Sequence, residues 1–88
     1  MDSEDHNLDA LFHLALCCYA RQSYTESLNL FQKIADRGSK EAQYMLATQY
    51  EEGKGTDCND TIAFRLYLMA AEQDHLGAMV KYENLMEQ

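Results

Sequence analysis

Apolar residues recur at spacings of three and four along most of the chain, a pattern typical of amphipathic α-helices. The clearest part runs over residues 41–78, where two such stretches flank the loop Gly53-Lys54-Gly55. Further helices are predicted over 8–20, between 23 and 38, and from about 75 to 87. The pattern therefore predicts an all-α chain.

Residues that cap helices separate these stretches. Ser23 followed by Glu26 forms a capping-box sequence, so a helix is expected to begin there. Gly38 suits a helix C-terminus, because glycine adopts positive φ without strain. The other N-caps that we expect are Ser39, Asn59 and Asp74.

The helices repeat. Leu14 and Ala15 align with Leu46 and Ala47, and Phe31 aligns with Tyr67. Small residues at Ala15 and Ala47 would let paired helices approach closely, and large residues would fill the space between hairpins. We predict a short α–α solenoid of two helical hairpins plus a C-terminal capping helix. The predicted division is an acidic N-terminal tail over 1–7 and one repeat domain over 8–88, with unit one 8–38, unit two 39–74 and the capping helix 75–87.

In its repeated helices and its glycine loop, the chain resembles the Sel-one-like repeat family, a relative of the tetratricopeptide repeat. The residues that carry the resemblance are Ala42, Tyr44, Leu46, Ala47, Tyr50, Gly53-Lys54-Gly55, Asn59, Ala63, Phe64, Tyr67, Ala70-Ala71-Glu72-Gln73 and Ala78. The resemblance implies a protein-interaction scaffold in which the first helix of each hairpin lines a concave surface. It implies no catalytic residues.

The chain departs from the family pattern at four positions. Ala47 and Asp74 stand where the family usually has glycine, and Leu66 replaces its usual aromatic residue. Glu83 occupies the position of Ala47 in the last helix, so we expect that helix to be a terminal cap with a polar outer face.

The net charge of the chain limits the classes of partner that it can bind. Acidic residues outnumber basic ones by 15 to 7, and the net charge is -8. Such a surface repels phosphate backbones and anionic lipids, so neither nucleic acid nor a membrane is expected as a partner. A protein partner with a basic surface or segment is favoured, although the charge could equally serve only solubility.

The cysteines Cys17, Cys18 and Cys58 are odd in number and form no CxxC motif, which argues against a disulfide framework. A reducing compartment fits better. The opening MDSEDHN lacks the basic and apolar segments of a signal peptide, so we expect a cytoplasmic protein if this is the natural start.

Helix spacing and the repeat alignment place a set of aromatic, apolar and acidic residues on the concave face. We expect this face to contain no lysine or arginine and to bind a basic peptide or helix. The alternative is that its aromatic residues only pack and its acids are ordinary solvated surface. The predicted concave residues are Asp9, Phe12, Leu16, Tyr19, Glu41, Tyr44, Thr48, Glu51, Glu52, Val80, Asn84 and Glu87.

A second candidate lies on the convex face. Ile62, Arg65 and Met69 would point outward on the fourth helix, and two of them are apolar where the repeat favours polar residues. This patch predicts association through the convex face, as a weak homodimer or with a partner, unless the residues are buried locally. A monomer or weak homodimer is therefore expected.

Few residues of the chain are candidates for metal binding or catalysis. His13 and Cys17 have a spacing that could hold a metal ion, but no second ligand pair accompanies them, so no metal or cofactor is predicted. Cys58 is expected to be exposed in the long loop. No motif joins a nucleophile, a base and an orienting group, which argues against an enzyme.

Three functions are consistent with these features of the sequence. The leading one is an interaction scaffold or adaptor that binds a partner on its concave face. One alternative is a stoichiometric inhibitor or immunity-type protein that blocks an enzyme or toxin. The other is a structural fragment of a longer repeat protein.

Overall fold

The computed structural model describes the backbone of residues 2–87 and the side chains of residues 8–87. Within that range the chain is all-helical and has no strand, as predicted. Each helix packs against the next along the chain, which produces two helical hairpins and a fifth helix in a short solenoid of 41 × 27 × 16 Å. The helices are α1 (Asp2–Ala20), α2 (Tyr24–Asp36), α3 (Lys40–Glu52), α4 (Asp60–Ala71) and α5 (Leu76–Met86).

The first helix begins earlier than the sequence pattern indicates. The backbone of residues 2–7, predicted to be a tail, continues α1 as far as Asp2. No glycine or proline interrupts this acidic segment, and acids near a helix N-terminus interact favourably with the helix dipole. Met1 and the side chains of 2–7 lie outside the described residues. The division into units 8–38, 39–74 and 75–87 stays a prediction.

Two predicted N-caps are confirmed and one differs in detail. The Ser39 hydroxyl accepts a hydrogen bond from the third residue of its helix at 3.3 Å, and the Asn59 side chain does the same at 3.1 Å. Ser23 precedes α2 as expected, but its side chain makes no capping hydrogen bond. The prediction of a capping box with Glu26 is therefore wrong. Ser23, at ψ 68°, does not adopt the extended conformation that is common at N-caps.

Helix α5 is capped by His75 and not by Asp74 as predicted. The Nδ1 atom of His75 accepts a hydrogen bond from the Ala78 N–H at 3.0 Å. Asp74 instead adopts φ +67°, as Gly38 adopts φ +97° at the end of unit one. Aspartate tolerates this left-handed conformation better than most residues, so Asp74 takes the place of the family's glycine in the turn.

Two apolar clusters form the core. The first combines buried residues of α1, α2 and α3, and the second combines residues of α3, α4 and α5. Tyr50 and Leu66 pack against both clusters and so join them. Phe31 and Tyr67, at equivalent positions in the two units, are fully buried, as are the small residues Ala15 and Ala47. These observations agree with the predicted packing of large residues between hairpins and small residues within them.

The loop of unit two closes directly against unit one. A side chain on Gly55, which has φ +79°, would lie 2.5 Å from the Tyr24 carbonyl oxygen. Only glycine fits this contact. The neighbouring Lys54 ammonium lies over the rings of Tyr19 and Tyr24, 5.2 Å from each ring centroid. The loop therefore fixes the orientation of the two hairpins that bear the predicted concave face.

Candidate functional site

Three predicted concave residues line one groove at the amino-terminal end of the solenoid. Phe12 is half-buried and packs edge-on against Phe31, with ring centroids 5.8 Å apart. Asp9 on α1 and Glu41 at the start of α3 are exposed. The groove has a volume of about 440 Å³, and its lining is completed by residues from α1, α2 and the α2–α3 turn. We call it the Phe12 groove; its lining residues are Leu8, Asp9, Phe12, Ile34, Ser39 and Glu41.

The other concave residues of α1 have structural contacts within the chain. Leu16 is half-buried and packs against the first core cluster. Tyr19 packs edge-on against Tyr24 with ring centroids 5.3 Å apart, and its hydroxyl accepts a hydrogen bond from Lys54 at 3.3 Å. Much of Tyr19 is therefore occupied in holding the unit-two loop.

Tyr44 and Thr48 on α3 also make extensive internal contacts. The Tyr44 ring stacks on His75 at 4.7 Å and meets Tyr67 edge-on at 5.6 Å. The Thr48 hydroxyl donates to the Tyr44 carbonyl and lies 3.1 Å from the Tyr67 hydroxyl. These residues join α3 to α4 and to the turn before α5, and both stay half-buried.

The acids at the end of α3 are paired with lysines of the same chain. Glu51 accepts a hydrogen bond from the Tyr67 hydroxyl at 2.8 Å and lies 3.7 Å from the Lys81 ammonium. Glu52 lies 3.1 Å from the Lys54 ammonium. The expectation of a face without lysine or arginine is therefore wrong. The pairs form between elements far apart in sequence or across the loop turn, so helix spacing alone does not show them.

Two side chains in this network have perturbed pKa values. Burial raises the pKa of the Tyr67 hydroxyl strongly; the hydrogen bond with Thr48 opposes the increase and the Glu51 carboxylate adds to it. The hydrogen bond with Glu52, and then that with Tyr19, raises the pKa of Lys54 above its ordinary value. Both groups therefore keep their protons at neutral pH.

The concave residues of α5 are more open. Val80, Asn84 and Glu87 are all exposed, and Val80 has 58% of its surface accessible. On the opposite side of the molecule, Arg65 is exposed, Met69 is 45% exposed and Ile62 is half-buried. Part of the predicted convex patch is thus accessible, and association through it stays a prediction.

Two buried glutamines were not identified from the sequence. The Gln49 amide donates to the carbonyl oxygens of Tyr24 and Lys54, and its oxygen accepts from Ser27, all at 3.0 Å. The amide of Gln43 lies 3.5 Å from the Ala35 carbonyl, and its oxygen accepts from Gln73 at 3.0 Å. Both glutamines lie on α3 among apolar neighbours, and that position was the available signal that they are buried.

The described part of the chain contains neither a metal-binding cluster nor a membrane-spanning helix. No group of three or more potential ligands is positioned to hold a metal ion among these residues. His13 and Cys17 are both exposed on α1. None of the described helices is long and apolar enough to cross a membrane. Cys58 is exposed, as predicted, and its thiol donates to the Glu51 carbonyl at 3.0 Å.

Comparison with known proteins agrees with this architecture. No curated protein matches the chain. The profile of the Sel1 repeat matches twice, over residues 8–39 and 40–75, which together cover most of the sequence, from within α1 to the residue before α5. Sel1 repeats are commonly protein–protein interaction modules, and proteins of this family are generally non-catalytic scaffolds. The chain belongs to the Sel1 repeat family.

Proposed function

We propose that this protein is an interaction module whose Phe12 groove binds a basic segment of a partner protein. The observation that carries the proposal is the arrangement of an aromatic ring with two exposed carboxylates, Asp9 and Glu41, around one groove of about 440 Å³. The membership of the chain in a family of interaction modules supports the same function.

The groove suits a lysine or arginine side chain. The apolar stem of such a residue can lie against Phe12, while its charged end reaches the carboxylates at the rim. Because the whole chain carries a net charge of -8, a basic segment is also attracted from a distance. An acidic segment is repelled by the same field.

Asp9 and Glu41 are better candidates for this contact than the acids at the end of α3. Glu51 and Glu52 already pair with Lys81 and Lys54, and Glu51 also accepts a hydrogen bond from a buried tyrosine. A partner would have to displace these contacts before it could use the two carboxylates. No comparable ion pair engages Asp9 or Glu41 among the described residues.

The experiment compares affinity capture by the wild type with capture by a charge-reversed groove variant. The groove variant carries Asp9→Lys and Glu41→Lys. A control variant carries Glu26→Lys and Asp57→Lys, which make the same charge change at exposed positions outside the groove. We expect partners that the wild type and the control retain and the groove variant loses.

Calorimetry on the captured partner then gives the size of the effect. Reversing two exposed charges removes about 0.2–1 kcal/mol of attraction for each and adds repulsion, so Kd should rise about tenfold at low salt. Equal retention and equal Kd for the groove and control variants would show that the Phe12 groove is not the binding site.

We also propose that the module works in a reducing compartment such as the cytoplasm. Cys17 and Cys58 are exposed and Cys18 is partly accessible, and all three are free thiols. Exposed thiols of this kind are compatible with a compartment that keeps cysteine reduced. Cell fractionation would test this location, and recovery in an oxidising compartment would contradict it.

A further inference from the structure

A second groove lies between α4 and α5 at the other end of the solenoid. It has a volume of about 470 Å³, and the side chains that line it are mainly apolar. We call it the Met86 groove; the lining residues used below are Leu68, Glu72, Met79, Tyr82, Glu83 and Met86.

The repeat shows what kind of element fits this groove. By the repeat alignment, Met79, Tyr82 and Met86 on α5 correspond to Gln43, Leu46 and Tyr50 on α3. In unit two these α3 positions are covered by α4, because Leu66 packs against the cluster that contains Leu46. Gln73, just after α4, also bonds to Gln43. The Met86 groove is thus the counterpart, one unit later, of the surface that α4 covers.

No described element covers this counterpart. Met86 is 61% exposed, and Leu68, Met79 and Tyr82 are only partly buried. The family pattern predicted a polar outer face for α5, yet this side of the helix combines Met79, Tyr82 and Met86 with a single acid, Glu83. An exposed apolar groove of this kind usually marks a place where another chain binds.

The charge of the groove selects among possible occupants. Glu72 and Glu83 are both exposed at its rim, and neither forms an ion pair within the described part of the chain. Glu83 adds a carboxylate at the position where α3 has the buried Ala47. A helix with lysine or arginine beside its apolar stripe matches these charges. A second copy of this chain is disfavoured, because each copy carries a net charge of -8.

We propose that the Met86 groove binds an amphipathic, basic helix of a partner protein, which packs as α4 packs on α3. The occupant carries apolar residues at helical spacing on one face and basic residues next to that face. This site is separate from the Phe12 groove and uses different residues. The module can therefore hold two partner segments at opposite ends of its solenoid.

The test uses peptides derived from α2, which fills the corresponding place in unit one. The probe is a labelled peptide of residues 23–38, held helical by a hydrocarbon staple between Thr25 and Asn29, both exposed in the protein. A cationic version carries Glu26→Gln and Asp36→Asn. An anionic version carries Lys33→Gln and Arg37→Gln. These four positions, three on α2 and one at its C-cap, are exposed in the protein, so the two peptides share one apolar face.

Fluorescence anisotropy measures the affinity of each peptide for the folded full chain. We expect saturable binding of the cationic peptide, with Kd about three- to tenfold lower than for the anionic one at low salt, and a smaller difference as salt is added. Glu72→Lys with Glu83→Lys should reduce that preference more than the charge-matched control, Glu26→Lys with Asp57→Lys, does. Similar Kd values for the two peptides on the wild type would overturn the charge assignment.

Variants of α5 locate the binding site. Met86→Lys places a charge in the groove and should raise the Kd of the cationic peptide about tenfold or more. Val80→Lys is the matched control, because Val80 is 58% exposed on the same helix but does not line the groove. Circular dichroism of both variants tests whether they remain folded.

The remaining outcomes also decide the question. No saturable binding of either stapled peptide refutes the docking site, and equal effects of Met86→Lys and Val80→Lys refute its location. The Asp9→Lys, Glu41→Lys variant should bind the peptide as the charge-matched control Glu26→Lys, Asp57→Lys does. Weaker binding by the groove variant than by this control would place the helix in the Phe12 groove and refute a separate site.

Discussion

Replacing Gln49 by leucine should destabilise the protein more than any substitution of an exposed glutamine. The Gln49 side chain is fully buried and makes three hydrogen bonds of 3.0 Å, to Tyr24, Lys54 and Ser27. Leucine has a similar size but can make none of them, so the buried Gln49 site loses its links to unit one and to the loop. At about 0.5–1.5 kcal/mol for each bond, the expected loss is about 3 kcal/mol.

Urea denaturation followed by circular dichroism measures this loss directly. For a chain of this size, about 3 kcal/mol lowers Tm by about 12–24 °C. Gln32→Leu is the matched control, because Gln32 makes only an exposed hydrogen bond to Asp36, and it should change stability by less than about 0.5 kcal/mol. A double-mutant cycle with Ser27→Ala should show coupling of about 0.5 kcal/mol or more. If Gln49→Leu behaves like Gln32→Leu, the buried network does not join the two units.

Two other predictions concern the loop and the core tyrosine. Gly55→Ala should lower the free energy of unfolding by about 3 kcal/mol or more, because its new methyl group meets the Tyr24 carbonyl at 2.5 Å. Gly38→Ala is the control: no atom lies within 4 Å of its new methyl group, so it should lose only about 1–2 kcal/mol through left-handed strain. Equal urea midpoints for the two variants would contradict this prediction. Tyr67→Phe should lower the free energy of unfolding at neutral pH by about 1–2 kcal/mol, because its hydrogen bonds are lost. This gap between the stability of the wild type and that of the variant should shrink above about pH 10. Unfolded Tyr67 loses its proton there while the buried hydroxyl keeps it, so wild-type stability falls by up to about 1.4 kcal/mol per pH unit more than that of the variant. A gap that stays constant from about pH 9 to about pH 11 would refute the raised pKa.

Local signals predicted the helices well. Periodicity identified all five elements, and the caps Ser39 and Asn59 lie where their side chains indicated. Such features depend on residues within one helical turn of each other. The N-cap of α5 was predicted at Asp74, and this was wrong. Asp74 adopts the left-handed conformation in the turn after α4, and the side chain of His75 caps the helix instead.

Contacts between units were harder to predict. The repeat alignment assigned Asp9, Phe12 and Glu41 to one face, and the structure places them around one groove. The same alignment could not reveal that Lys81 reaches Glu51, since that distance depends on how α5 packs beside α3. It also gave no reason to bury Gln49, whose partners are a carbonyl of the preceding unit and one in a loop.

The contact between the loop at Lys54-Gly55 and Tyr24 makes the order of the two hairpins matter. In many repeat proteins, stability is close to a sum of similar units and similar interfaces, so units can be exchanged or duplicated. Here the second hairpin fits only a neighbour that offers two tyrosine rings and places the Tyr24 carbonyl against Gly55. A duplicated second unit would lack that neighbour. The two hairpins are therefore expected to unfold in a single cooperative step and not one after the other.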